Sequence, residues 1–145
     1  LKYHLKIDTG MNRLGFRSDN LRRTLPGLLA SANLHLDAIY THFATADVPE
    51  SSLFEQQRVR FERAMADVAA LGGRPRYCHA CNSAATLRDS RVWYDAVRPG
   101  LLLYGIVPPP LASTLPLQPV MQLTSRLVAV KGMRPGESTG YGARF

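Results

Sequence analysis

The stretch HLKIDTGMNRLGF, His4 to Phe16, places a lysine in a strand and an arginine just past its end. Tyr3, Leu5 and Ile7 alternate with His4, Lys6 and Asp8, the period of a strand with one apolar face. Two cations near one strand end need an anion, and within the stretch only Asp8 offers one. Three further places carry groups of the same kind: His42, Asn82-Ser83, and Arg98 with Gly100. Each has an ordinary explanation when taken alone. Arg13 reads as a surface arginine, His42 as a hydrogen-bonded core histidine, Ser83 as a helix cap, and Arg98-Pro99-Gly100 as a turn. Together they make a polar set fit for a charged small molecule. Ser83 before two alanines, at a helix start, suits a phosphate held by backbone N–H groups. Gly100 lets a backbone come close to a ligand.

The elements that must position this set alternate. The first strand is predicted over Tyr3–Asp8. A helical segment follows Ser18-Asp19, with Leu21, Leu25, Leu28 and Leu29 apolar and Pro26 breaking it. A second strand is predicted in LHLDAIYTHF, Leu34–Phe43, ending around His42. The strongest helix pattern starts at Ser52-Leu53-Phe54-Glu55, which reads as a capping box. Its apolar face is Phe54, Phe61, Met65 and Val68, and Gly72-Gly73 ends it. A third strand is expected over Arg76–Cys81 and a fourth within VRPGLLLYG, Val97–Gly105. This alternation predicts an α/β fold with a parallel sheet. Four strand–helix units are half of a (β/α)8 barrel of about 250 residues, whose reactive groups lie at the C-terminal strand ends.

After Ile106 the texture changes. Residues 107–119, VPPPLASTLPLQP, are proline-rich and read as an interdomain linker. Residues 120–145 bring a β-rich alternating run, a turn at RPGE and a further strand start at STGYGARF. The expected organisation is a partial barrel over 1–106, a linker over 107–119, and the start of a β domain over 120–145.

The chain has 145 residues, 46% hydrophobic and 20% charged, enough for one core. Its net charge is +7, carried by scattered arginines rather than by a block. No nucleic-acid motif accompanies that charge, and no apolar run is long enough for a membrane span. The chain begins at Leu1 directly in a strand pattern and stops just after Gly-Tyr-Gly, so it reads as an internal piece of a longer polypeptide. Cys78 and Cys81 stand three apart in a predicted strand and face opposite sides. They read as small buried thiols in a reducing compartment rather than as metal ligands.

The motifs HLKIDTGMNRLGF, YTHFATAD, HACNSAAT, VRPGLLLYG and GESTGYG occur in the order found in alanine racemases, and the chain resembles the middle of one throughout. The resemblance implies the C-terminal part of a (β/α)8 barrel running into a β domain. It implies pyridoxal 5'-phosphate as cofactor, alanine as substrate, a cytoplasmic homodimer, and D-alanine supply for peptidoglycan. Neither nucleic acid nor membrane is an implied partner.

Residue by residue, the resemblance implies that Ser83 binds the cofactor phosphate with the N–H groups of Gly100 and Leu101, and that Asn82 and His79 belong to the cofactor-binding set. Arg98 would bond the pyridine nitrogen, and a guanidinium keeps that nitrogen unprotonated because it is donor-only. Arg13 would meet the cofactor's phenolic oxygen and the substrate carboxylate. Lys6 matches a carbamylated lysine, which would turn two neighbouring cations into a charge-paired hydrogen bond. Tyr141 resembles one of two catalytic bases, acting in the partner's site. Its phenolate would be supported by His42, which is linked through Arg98 to His79. The other base is the lysine that carries the cofactor, upstream of anything here. Lys2, Lys6 and Lys131 do not match it, so the 145 residues alone are expected not to racemise alanine. A racemase of another small amino acid such as serine, a non-catalytic cofactor-binding barrel and a basic anion-binding module are the competing readings. The linker, the β-rich tail and Tyr141 weigh against the non-catalytic barrel. The ordered strand-end set weighs against the basic module.

Overall fold

In the computed structural model, which describes residues 1–143, four parallel strands form one sheet. They are β1 (Lys2–Asp8), β2 (Phe16–Arg17), β3 (His35–Tyr40) and β4 (Tyr77–His79), in the spatial order β2-β1-β3-β4. The helices are α1 (Leu21–Thr24), α2 (Pro26–Leu29), α3 (Leu53–Ala70), α4 (Ser83–Arg88) and α5 (Gly100–Leu103), with a 3-10 turn at Ser90–Val92. Strand β2 was not expected. It forms because the loop after β1 returns so tightly that a Cβ on Gly15 would stand 2.8 Å from Lys6 O, and Gly15 adopts φ +116°. Phe16 then pairs with Ile7 and Arg17 with Asp8.

One face of the sheet is dry. Leu5, Ile7 and Ile39 pack there against Leu21 and Leu25 of the α1 region and against Phe54, Phe61, Ala64 and Val68 of α3. Burying each large side chain of this kind contributes about 1.5–3 kcal/mol. Pro26 separates α1 from α2 as its missing N–H requires. Helix α3 ends as expected, with Gly72 at φ +88° and Gly73 N–H bonded to Val68 O at 2.9 Å.

Two local expectations are corrected. The capping box at Ser52 does not form. Ser52 is helical (φ −70°, ψ −15°), Glu55 is taken by Arg58, and Ser51 Oγ accepts from Leu53 N–H at 3.3 Å instead. The strand expected within Val97–Gly105 is reduced to one bridge, His79 with Ala96, followed by helix α5. Pro99 lacks the N–H a ladder needs, and three consecutive leucines fit a helical turn as well as a strand. Residues 120–143 form no strand or helix, and Leu123, Leu127 and Val128 stand open to solvent. Alternation makes a strand only where another edge pairs with it, and residues 120–143 pair with no edge of the sheet. Arg144 and Phe145, at the end of the further strand expected there, lie outside the described residues.

Arg88 fixes the loop after β3. Its Nη1 donates to the carbonyls of Thr45, Ala46 and Val48 at 3.1, 3.2 and 3.1 Å, and its Nη2 to Pro49 O at 3.0 Å. The guanidinium lies 4.3 Å from the Phe54 ring centroid. Arg88→Met keeps the stem and removes the donors. It should cost about 2–3 kcal/mol, measured by urea unfolding, and should speed amide exchange of residues 45–49 before global unfolding. Unchanged stability and exchange would contradict the clamp.

Candidate active site

The wet face of the sheet carries the chemistry. Strand alternation turns His4 and Lys6 away from the core that holds Leu5 and Ile7. Parallel register then sets Lys6 beside Tyr40 and Tyr40 beside His79. Thr41 N–H bonds His79 O at 3.3 Å, extending the ladder by one step toward His42.

Arg98 enters from the segment before α5, its own N–H anchored on Cys81 O at 3.0 Å. Its Nη2 donates to Thr41 O at 2.8 Å and Ala80 O at 3.1 Å, and approaches His42 Nδ1 at 3.4 Å. Its Nη1 donates to His79 Nδ1 at 2.5 Å. A guanidinium cannot accept, so both imidazoles present a bare Nδ1 to it and carry their proton on Nε2. Burial, then the Arg98 charge, then His4 push His79 down to about 4. His42 is lowered by burial first, then by Arg98, Arg13 and Lys6. Both histidines are therefore neutral at pH 7, and Arg98 holds the charge between them.

Asn82 and Ser83 divide the work at the start of α4. Asn82 is the cap, accepting from Ala85 N–H at 2.9 Å and donating to Phe43 O at 3.3 Å. The reading of Ser83 as a cap is thereby excluded. Ser83 is 4% exposed, and its Oγ accepts from Leu102 N–H at 3.2 Å. Its hydroxyl hydrogen remains free to donate. Gly100 N–H is turned onto Arg98 O at 3.0 Å, and Leu101 N–H has no acceptor among the described residues. Gly100 has open space over its Cα: a built Cβ meets nothing within 4 Å.

Asp8 does not neutralise the two cations of the opening motif. Its Oδ1 accepts from Gly10 and Asn12 N–H, both at 3.0 Å, and so holds the turn. Neither Lys6 nor Arg13 has a carboxylate within 4.0 Å among the described residues. Both act on His42, so they share its surroundings. Tyr141 is fully exposed and touches none of this set. Cys81 is buried, with its Sγ donating to Val92 O at 2.9 Å, and burial raises its pKa to about 11.

Gln57 escaped the sequence reading. It is completely buried on α3, donating to Thr9 Oγ1 at 3.2 Å and His42 O at 3.0 Å, and accepting from Ala44 N–H at 2.9 Å. Thr9 and Thr41 complete the network, oxygen to oxygen at 2.7 Å. A signal was present: Gln57 lies between Phe54 and Phe61 on the apolar stripe, where a polar residue must find partners.

A parallel sheet with helices on one face and basic, donor-rich strand exits on the other defines the class, a segment of a (β/α)8-type barrel. The family described as "Alanine racemase, N-terminal domain" matches residues 1–108, and the chain belongs to that family. The alanine racemase of Listeria monocytogenes serotype 4a is 43% identical over 149 residues, covering 100% of this chain and 40% of that protein. That of a Nostoc species is 40% identical over 143 residues, covering 98% of this chain and 37% of the relative. Among solved structures, alanine racemase from Clostridium difficile 630 superposes with a TM-score of 0.85 at 29% identity, covering 99% of this chain and 38% of that one. The Bacillus anthracis alanine racemase with bound L-Ala-P gives 0.82 at 35% identity, covering 100% and 39%. The chain thus spans about 40% of the length of the Listeria relative.

Proposed function

We propose that the complete polypeptide carrying this chain interconverts L-alanine and D-alanine with pyridoxal 5'-phosphate. The observation that carries the reading is Arg98 held between two neutral histidines, with its Nε–H unclaimed among the described residues. The donors fit the cofactor. Arg98 Nε–H suits a ring nitrogen, while the Ser83 hydroxyl and Leu101 N–H suit a phosphate beside the open space at Gly100. Gly100 N–H joins them on release from Arg98 O.

When bound, the cofactor supplies an electron sink for the charge left at Cα as the α-proton departs. Arg98 gives up no proton, so it keeps the ring nitrogen unprotonated and the sink weak, which favours simple proton return. Arg13 would bind the substrate carboxylate and meet the cofactor's phenolic oxygen. Lys6, without a carboxylate partner, would become the anion for Arg13 once its neutral amine adds CO2 and releases a proton to give a carbamate. His42 keeps Nε2–H to donate to a phenolate, which is the support a tyrosine base needs. We assign Tyr141 to the site of a partner subunit. The base for the opposite face is a lysine upstream of Leu1. Residues 107–119 serve as a linker, and 120–145 begin a β domain whose remaining strands complete the ladder missing here. The cellular setting is the cytoplasm and the product D-alanine feeds peptidoglycan.

The test is racemisation of L-alanine by the complete natural polypeptide with pyridoxal phosphate. Activity should vanish on cofactor removal and return on its addition. A cofactor-saturated polypeptide that leaves L-alanine unchanged overturns the reading. The 145 residues by themselves should be inactive, and activity from them would overturn the upstream-base assignment. Intact mass of the active protein should show the carbamate on Lys6; a folded, active protein without it removes that role.

A further inference from the structure

Tyr40 lies in the middle of the wet sheet face, and none of the roles above uses it. Its register neighbours are Lys6 on β1 and His79 on β4. Its ring stacks on the His79 imidazole with centroids 4.9 Å apart and planes 17° apart. The Arg98 guanidinium carbon lies 5.5 Å from the same ring centroid. His4 meets His79 edge-on at 5.5 Å and Tyr40 at 6.5 Å.

These contacts act in different directions. Arg98 holds His79 through one hydrogen bond at Nδ1, which leaves the imidazole free to tip about that bond. The Tyr40 ring lies against its face and removes that freedom. His79 is in turn the acceptor that Arg98 Nη1 finds among the described residues. If His79 tips, one arm of the planar guanidinium loses its acceptor, and the rigid fork turns about its remaining bonds to Thr41 O and Ala80 O. The direction of Nε–H turns with it.

We propose that Tyr40 is a positioning residue: its ring fixes the plane of His79 and, through His79, the direction in which Arg98 presents Nε–H to the cofactor's ring nitrogen. The last link rests on the proposed function. The first link, from Tyr40 to His79, is a property of the protein without any ligand. The titratable and charged groups around His79 are Arg98, His4 from β1 and Tyr40 from β3, with Lys6 next along the row.

The test uses Tyr40→Phe, which keeps the ring, and Tyr40→Leu, which removes it, in the complete natural polypeptide. Tyr40→Met serves as a second flat-face deletion, with a longer, unbranched side chain, in case the leucine variant does not fold. The first readout is the imidazole NMR titration of His79 without cofactor. Loss of the ring lets water reach His79, so its midpoint should climb by at least one pH unit from about 4 toward 6.5. The second is the absorbance of bound cofactor together with kcat and KM. The band should move, and kcat should fall about 10-fold or more while KM changes little, because misaim near the reacting centre is costly. Tyr40→Phe should restore all of these.

A His79 titration unmoved by both leucine and methionine overturns the proposal, whatever happens to activity. A moved titration with unchanged absorbance and kcat overturns the link to Arg98. A polypeptide that neither binds pyridoxal phosphate nor racemises alanine defeats the proposed function alone, because the His79 titration still tests the stack.

Discussion

Arg98→Lys should lower kcat for alanine by about 10²–10³-fold in the complete polypeptide, measured as D-alanine formed at saturating cofactor. The guanidinium reaches His79, Thr41 O, Ala80 O and His42 at once, from a half-buried position. A lysine brings the same charge but three donors on one atom, so it cannot span those acceptors. Carbonyls left without donors in this setting cost about 1–3 kcal/mol each, so the urea midpoint should also fall. His42 and His79 would lose their shared donor, and the group proposed to meet the cofactor's ring nitrogen would be gone. Activity within twofold of the parent would remove Arg98 from the centre of the site.

Tyr141→Phe should cut racemisation by about 10²–10⁴-fold and leave stability unchanged. The stability half follows from its position: the side chain is wholly exposed and contributes nothing to the core. The catalytic half follows from its proposed role as a base in the other subunit. That role has a sharp consequence. Preparations of Tyr141→Phe and Arg98→Lys, each nearly inactive, should regain activity when unfolded together and refolded as mixed dimers. One of the two sites then receives an intact Arg98 from one chain and an intact Tyr141 from the other. If mixing restores nothing while the unmutated dimer refolds to full activity by the same procedure, Tyr141 serves its own chain.

The strand exits were the legible part of the sequence. A lysine in a strand, a histidine at the end of another, an asparagine–serine pair before small residues and an arginine before Pro-Gly are chemically conspicuous. The structure gathers His42, His79 and Arg98 within hydrogen-bonding reach. It separates Asn82 from Ser83 in function, which the sequence could not do, since both residue types cap helices equally well. The expected strand in Val97–Gly105 was illegible as a helix because leucine runs satisfy either period over so short a length. Glu55 looked like half of a capping box, but Arg58 offered it a charged partner three residues away. Arg88, and the partners of Gln57, were illegible for another reason. Most of these partners are backbone atoms, such as Val48 O and His42 O, 40 and 15 residues away in loops, and backbone atoms leave no mark in a sequence.

Gln57 also bears on how such a protein can be shuffled with its relatives. One side chain from α3 grips the exit of β1 through Thr9 and the exit of β3 through His42 and Ala44. A recombination crossover between residues 44 and 57 would pair a helix from one parent with strand exits from another. The resulting chimera inherits the gripped groups from one lineage and the gripping side chain from the other, so it works only where both parents keep the same amide. Crossovers before residue 9 or beyond Gln57 move helix and exits as one block, and libraries built on those seams should retain far more active members.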